Sequence, residues 1–92
     1  MTWVERPDLY VLARFLDVLL HNGPRMKKTN LQMRVGLNYP RFMEYLDWMI
    51  THGFVEQTNE EGTDLYSLSA LGLDAYHRLV AWIRETMKGM RI

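Results

Sequence analysis

Apolar residues fill most of the segment from Leu9 to Leu20, leaving one narrow polar stripe. At about 100° per residue, Tyr10, Arg14, Asp17 and His21 fall within about 60° of one another. Leu9, Leu12, Leu16 and Leu19, with Val11, Phe15 and Val18, occupy the rest of the circumference. This pattern predicts a helix over 8–21. Pro7 suits the entry, Asp8 complements the dipole of the first turn, and "HNGPR" supplies the stop. An apolar arc this wide must be covered on two sides.

The period then breaks into shorter pieces. Met26 starts a short extended stretch, and Thr29 is the expected cap of a two-turn helix over 28–35. In "VGLNYP", Gly36 permits a left-handed corner, Asn38 is a good N-cap, and Pro40 is tolerated in a first turn. A further helix follows over 39–52, closed by Gly53. Phe42, Leu46, Met49 and Ile50 form its expected buried stripe, with Arg41, Glu44, Asp47, Trp48 and Thr51 pointing away. After Gly53, the β-prone pieces "FVEQ" and "LYSL" flank the polar turn "TNEEGTD", which predicts a hairpin over 54–68. Ser69 is the expected cap of a last helix over 70–88, about 28 Å long. Its apolar residues, among them Leu71, Ala75, Tyr76, Leu79, Val80, Trp82, Ile83 and Met87, cover about half the circumference.

Helix, short strand, helix, corner, helix, hairpin and helix make a mainly α fold with a small β-hairpin wing. Two helices about a glycine-containing corner form a helix-turn-helix unit, and a following hairpin makes it winged. A plain four-helix bundle is the competing architecture, but "FVEQTNEEGTDLYSL" reads poorly as helix. The 92 residues make one expected domain, 1–92, whose modest core association would help to stabilise.

Charge adds what periodicity cannot. The formal net charge is zero, yet the signs are segregated along the chain. Between Val18 and Met43 stand Arg25, Lys27, Lys28, Arg34 and Arg41 with no acid. Between Glu44 and His77 stand Glu44, Asp47, Glu56, Glu60, Glu61, Asp64 and Asp74 with no lysine or arginine. Arg78, Arg84, Lys88 and Arg91 follow, against Glu85 alone. Such blocks either present a cationic face or are interleaved by folding until none survives.

Arg41, near the start of the candidate reading helix, has the chemistry to grip guanine in two places; the competing role is a solvated arginine beside Glu44 or Tyr45. Asn38 and Tyr39 can donate to phosphates from the corner, although capping alone explains Asn38. Lys27, Lys28, Asn30 and Arg34 lie on or before the helix that crosses the DNA backbone in this architecture. Glu44 on the reading face can accept from cytosine N4 or repel phosphate. Glu60, Glu61 and Asp64 at the wing tip repel phosphate, so the wing is expected to stay off DNA. Trp48 has three possible places: against the wing, in a dimer or partner interface, or on DNA.

Other chemistry finds little support. The chain has no cysteine, and His21, His52 and His77 lack metal-ligand spacing. No phosphate-cradling glycine loop or nucleophile–base constellation is visible, so neither an enzyme nor a bound cofactor or metal is expected. "MTWVERPDLY" lacks a signal-peptide pattern, and no apolar run approaches the ~20 residues of a membrane span. A cytoplasmic protein with no membrane partner is the expectation.

The stretch "KKTNLQMRVGLNYPRFMEYLDWMITHGFVE" with "LYSLSALGLDAY" resembles the archaeal winged-helix family of predicted transcriptional regulators and small dimeric chromatin proteins. Thr29, Leu37, Asn38, Tyr39, Arg41, Phe42, Tyr45, Leu46, Gly53, Phe54, Val55, Tyr66, Leu68 and Ser69 carry the likeness. It implies a homodimer joined through the C-terminal helix, bound to double-stranded DNA and associated with the nucleoid. It brings Thr29 and Tyr45 into the set of expected DNA contacts. Tyr76, Leu79, Val80, Trp82, Ile83 and Met87 are the expected dimer face, in keeping with their wide apolar arc. A different class of function remains open: a winged helix that binds another protein through Trp48 and the acidic wing.

Overall fold

A computed structural model describes residues 7–88, so Arg91 of the C-terminal basic run and the first six residues of the opening segment lie outside it. The chain folds as α1 (Leu9–His21), β1 (Met26–Lys27), α2 (Lys28–Val35), α3 (Tyr39–Thr51), β2 (Val55–Glu60), β3 (Thr63–Leu68) and α4 (Ala70–Lys88). The strands form one antiparallel sheet in the order β1-β3-β2. This is a winged helix-turn-helix.

The buried faces of α1, α2 and α3 meet the inner side of the sheet. Phe15 of α1 stacks on Phe42 of α3 with ring centroids 5.4 Å apart. Around that pair lie Leu31 and Val35 of α2, Leu46 and Met49 of α3, and Met26, Val55 and Tyr66 of the sheet. Each large side chain removed from water contributes about 1.5–3 kcal/mol, so this cluster supplies most of the favourable folding energy. α3 turns slightly from the expected face. Tyr45 is fully buried, whereas Ile50 is only partly so.

Asp8 does not enter the first turn of α1. It is the N-cap, and its carboxylate accepts from the Tyr10 and Val11 N–H groups. The helix-turn-helix corner is fixed from several sides. Gly36 is left-handed, at φ 79°, and the Asn38 side chain accepts from the Arg41 N–H at 3.0 Å. From α1, Arg14 donates to the Val35 carbonyl at 2.9 Å, where the negative end of α2 favours a cation.

Two local expectations are corrected. Thr29 caps nothing. α2 already starts at Lys28, and Lys27 stands at the N-cap without a side-chain hydrogen bond. Pairing of Lys27 with Leu65 in the sheet holds the backbone extended up to the helix, which fixes the start in place of a cap. The expected seven-residue polar turn shrinks to Glu61–Gly62, both at positive φ (53° and 82°). Pairing runs from Val55↔Leu68 to Glu60↔Thr63. The tip of this hairpin is solvated, so its residues carry no apolar alternation to reveal them as strand. Asn59 ties the tip together, accepting from the Gly62 N–H and donating to Asp64.

Ser69 caps α4, accepting from the Gly72 N–H and donating to the Gly53 carbonyl at 2.5 Å. Gly72 lies against the Phe54 carbonyl so closely that a Cβ there would stand 2.1 Å from the oxygen. Farther along, Tyr76 donates to Asp17 at 2.6 Å, and Tyr10 faces Met87. α4 therefore runs antiparallel to α1.

Candidate nucleic-acid interface

The helix-turn-helix corner presents Asn30, Arg34, Asn38, Tyr39 and Arg41, all exposed. Arg34 is steadied by Asn30, its Nε donating to Oδ1 at 3.3 Å. Thr29 is also exposed, in the first turn of α2. Tyr39 is 53% exposed, an aromatic left outside a core that has room for Tyr45.

Tyr45 has a different place from the one expected. It is 0% exposed, and its hydroxyl accepts from the Asp8 N–H at 2.9 Å. Its ring lies beneath Arg41, whose guanidinium carbon is 5.5 Å from the ring centroid, within cation–π range. A fully buried ring cannot contact a duplex, so Tyr45 leaves the set of direct contacts and becomes the seat of Arg41.

Arg41 and Glu44 do not pair with each other. Among the described residues the Glu44 carboxylate has neither a hydrogen-bond nor an ion-pair partner, although the residue is half-buried. Arg41 occupies the third position of α3, whose first turn holds no acid. α2 likewise has Lys27 at its N-cap and Lys28 as its first residue, and no acid in its first turn. A helix N-terminus carries about half a positive charge and ordinarily favours carboxylates. Cations therefore stand at the start of both helices of the unit, where they add to the positive potential.

Folding interleaves part of the basic block with the acidic one. Arg25 forms an ion pair with Glu60 of the wing. Lys27 lines a surface depression with Glu60, Glu61, Thr63 and Leu65. The Asp64 carboxyl is held below its usual range, chiefly by the Asn59 hydrogen bond, then by Gln57, with a smaller contribution from Lys28. Of the five cations in the block, Arg34 and Arg41 have no acid partner of this kind among the described residues. The cationic character thus withdraws from the strand and concentrates at the corner.

Trp48 takes the first of its three possible places. It stacks on His52 at 4.1 Å and leans on Phe54, which leads into the wing, at 5.8 Å. It also forms a wall of an apolar groove of about 460 Å³ with Leu9, Leu12, Phe54, Leu79 and Trp82. The residues expected at a dimer face divide here. Tyr76 and Leu79 pack partly against their own core. Val80 and Ile83 are half-buried, while Trp82 and Met87 are 55% and 39% exposed. Leu9 and Tyr10 of α1 extend this exposed apolar surface.

Three residues important to this arrangement were not singled out for their roles in the sequence. Arg14 holds the corner, Leu9 edges the groove, and Gly72 sets the approach of α4. Arg14 belongs to the narrow polar stripe of α1, and its spacing there does not point to the Val35 carbonyl 21 residues away. Gly72 interrupts a helical pattern, a signal of close packing that the pattern alone did not assign to a neighbour.

The winged helix-turn-helix family matches this chain over residues 6–88. The chain belongs to that family. Comparison with curated proteins returned no match. Among solved structures, Sso10a-2, a DNA-binding protein from Sulfolobus solfataricus, superposes with a TM-score of 0.77 at 18% identity, covering 90% of this chain and 84% of its own. F93 from STIV, a winged-helix DNA-binding protein, gives 0.79 at 14% identity, covering 94% of this chain and all of its own. The PcaV transcriptional regulator from Streptomyces coelicolor gives 0.73 at 20% identity, over 82% of this chain and 57% of its own. At these identities the likeness is one of fold. Among the described residues, no helix is long and apolar enough to cross a membrane, and no cluster of acids and histidines could hold a metal.

Proposed function

We propose that this winged helix-turn-helix protein binds double-stranded DNA as a homodimer and acts as a transcriptional regulator or a nucleoid-associated chromatin protein. The observation that carries this reading is the placement of cations at the N-termini of both α2 and α3, with Arg41 exposed and seated on Tyr45. Within the isolated chain this placement opposes the helix dipoles; against a phosphate backbone both become attractive. Arg34, Arg41, Asn30, Asn38 and Tyr39 are the proposed principal contacts, with Thr29, Lys27 and Lys28 at the margin facing the wing. The two structural neighbours described as DNA-binding proteins support the same reading.

The dimer would form across α4. Trp82, Ile83 and Met87, with Val80, supply its apolar surface, and the exposed N-terminal end of α1 extends it. Two copies of α3 would then face successive major grooves, about 34 Å apart. A purely protein-binding role is less well supported, because Trp48 and Glu60 are already engaged within the chain.

The test is titration of labelled duplex DNA at two salt concentrations. Wild type is expected to bind at low salt and to weaken steeply as salt rises, because binding releases counterions. Arg41→Ala combined with Arg34→Ala should weaken binding at least tenfold. No duplex binding at low salt overturns the proposal.

A further inference from the structure

Resting on the DNA-binding reading above, we infer that Arg41 and Glu44 form a two-residue reader of G·C pairs in the major groove. Arg41 takes guanine, and Glu44 takes the cytosine amino group. The argument begins with Glu44. A half-buried carboxylate on the outer side of α3, with no partner among the described residues, is an unusual companion for a cationic corner. Against phosphate it is repulsive, and toward bulk DNA it lowers affinity. Two groups in the major groove reverse that sign, the N6 amino group of adenine and the N4 amino group of cytosine. Of the two, only cytosine N4 lies beside the guanine O6 and N7 acceptors that suit Arg41, so the pair of side chains together selects it.

The geometry matches this division of labour. Residues three apart on a helix lie about 5–6 Å apart between Cβ atoms. That spacing lets Arg41 and Glu44 address the two bases of one pair, or neighbouring pairs stacked about 3.4 Å apart. Arg41 is suited to the guanine half because its position is restricted. Tyr45 lies under the guanidinium, cannot move outward from the core, and is tied through its hydroxyl to the Asp8 N–H. The Arg41 N–H is engaged by the Asn38 cap. The two side chains are not neutralised by one another, so both remain available to bases. The wing adds little competing readout, since Glu60 is held by Arg25 and Asp64 by Asn59.

The reader assigns different effects to the two residues. Arg41 supplies affinity that depends on guanine. Glu44 supplies discrimination, penalising sites that lack a correctly placed cytosine. A general phosphate-repelling acid would instead lower affinity equally for every sequence.

The test uses the full chain and duplexes of equal length, one built of A·T pairs only and one containing G·C steps. Further versions of the second carry 7-deazaguanine or N4-methylcytosine, which alter one major-groove group without changing the protein. Wild type is expected to prefer the G·C duplex by about tenfold or more. 7-Deazaguanine should remove most of the preference, and N4-methylcytosine should reduce it. Glu44→Ala should bind the A·T duplex more tightly than wild type while losing sensitivity to N4-methylcytosine; Arg41→Ala should lose sensitivity to 7-deazaguanine. Binding to both duplexes without preference overturns the reader and leaves DNA binding standing. So does a Glu44→Ala variant that gains affinity equally for all duplexes. Absence of binding to every duplex at low salt overturns both.

Discussion

At the scale of single residues, the corner of this protein is built from side chains with two duties. Asn38 caps α3 and thereby orients the backbone that carries Arg41. Removing the cap leaves an N–H of the first turn without its partner. Asn38→Ala is expected to lower stability by about 1 kcal/mol, and the melting temperature by about 4–8 °C for a domain of this size. Thermal denaturation followed by circular dichroism measures it. Two tyrosines should also announce their environments. Burial raises the Tyr66 hydroxyl above the ordinary value, and the hydrogen bond to Asp17, then burial, raises Tyr76. A raised folded value favours the protonated form in the fold. The stabilisation is complete at pH below the unfolded value of about 10 and is lost as pH rises through the folded value. An ultraviolet absorbance titration is expected to show Tyr66 and Tyr76 ionising late, with the Tyr76 contribution lost in Tyr76→Phe.

At the scale of elements, α4 depends on an approach that helix propensity opposes. Glycine costs about 1 kcal/mol relative to alanine inside a helix, yet Gly72 occupies the first turns of α4. The reason is the Phe54 carbonyl, which a Cβ would meet at 2.1 Å. Gly72→Ala is therefore expected to destabilise by about 2 kcal/mol despite its gain in propensity. Chemical denaturation of the two proteins decides it. A stabilised variant would mean that α4 can move away from the wing without penalty. The wing illustrates a different compromise. Its polar strands pair fully without an apolar alternation, because the sheet buries Val55 and Tyr66 at its base and solvates its tip.

At the scale of the whole molecule, the apolar surface along α1 and α4 is the feature that a lone chain leaves unsatisfied. The molecule measures 50 × 27 × 22 Å, and Leu9, Tyr10, Trp82 and Met87 remain exposed along α1 and α4. If α4 joins two copies, wild type should sediment as a dimer at micromolar concentration. Ile83→Asp should shift it to monomer with its helix content retained, since a charge would enter the buried seam. A monomeric wild type would remove the dimer from the proposal. With wild type a dimer, DNA binding should weaken in Ile83→Asp as well, because the two reading helices would no longer be linked.

Much of this architecture was legible in the residues themselves. Periodicity showed four helical segments and a hairpin, and Gly36, Asn38 and Pro40 marked the corner, because backbone conformation and capping are local properties. Ser69 was readable as a cap for the same reason. The candidate site was only half legible. Arg41 could be named from its position in α3, but the burial of Tyr45 and its role as a seat depend on the Asp8 N–H, 37 residues earlier. The fate of the basic block was likewise hidden. Arg25 and Glu60 meet only because β1 and the wing belong to one sheet, a partnership between distant segments that linear charge counts do not contain. Thr29 failed as a cap because strand pairing set the helix start before side-chain chemistry was needed. Local chemistry thus determined the elements and their ends. Long-range packing decided which cations the wing acids took up and which aromatic went inside.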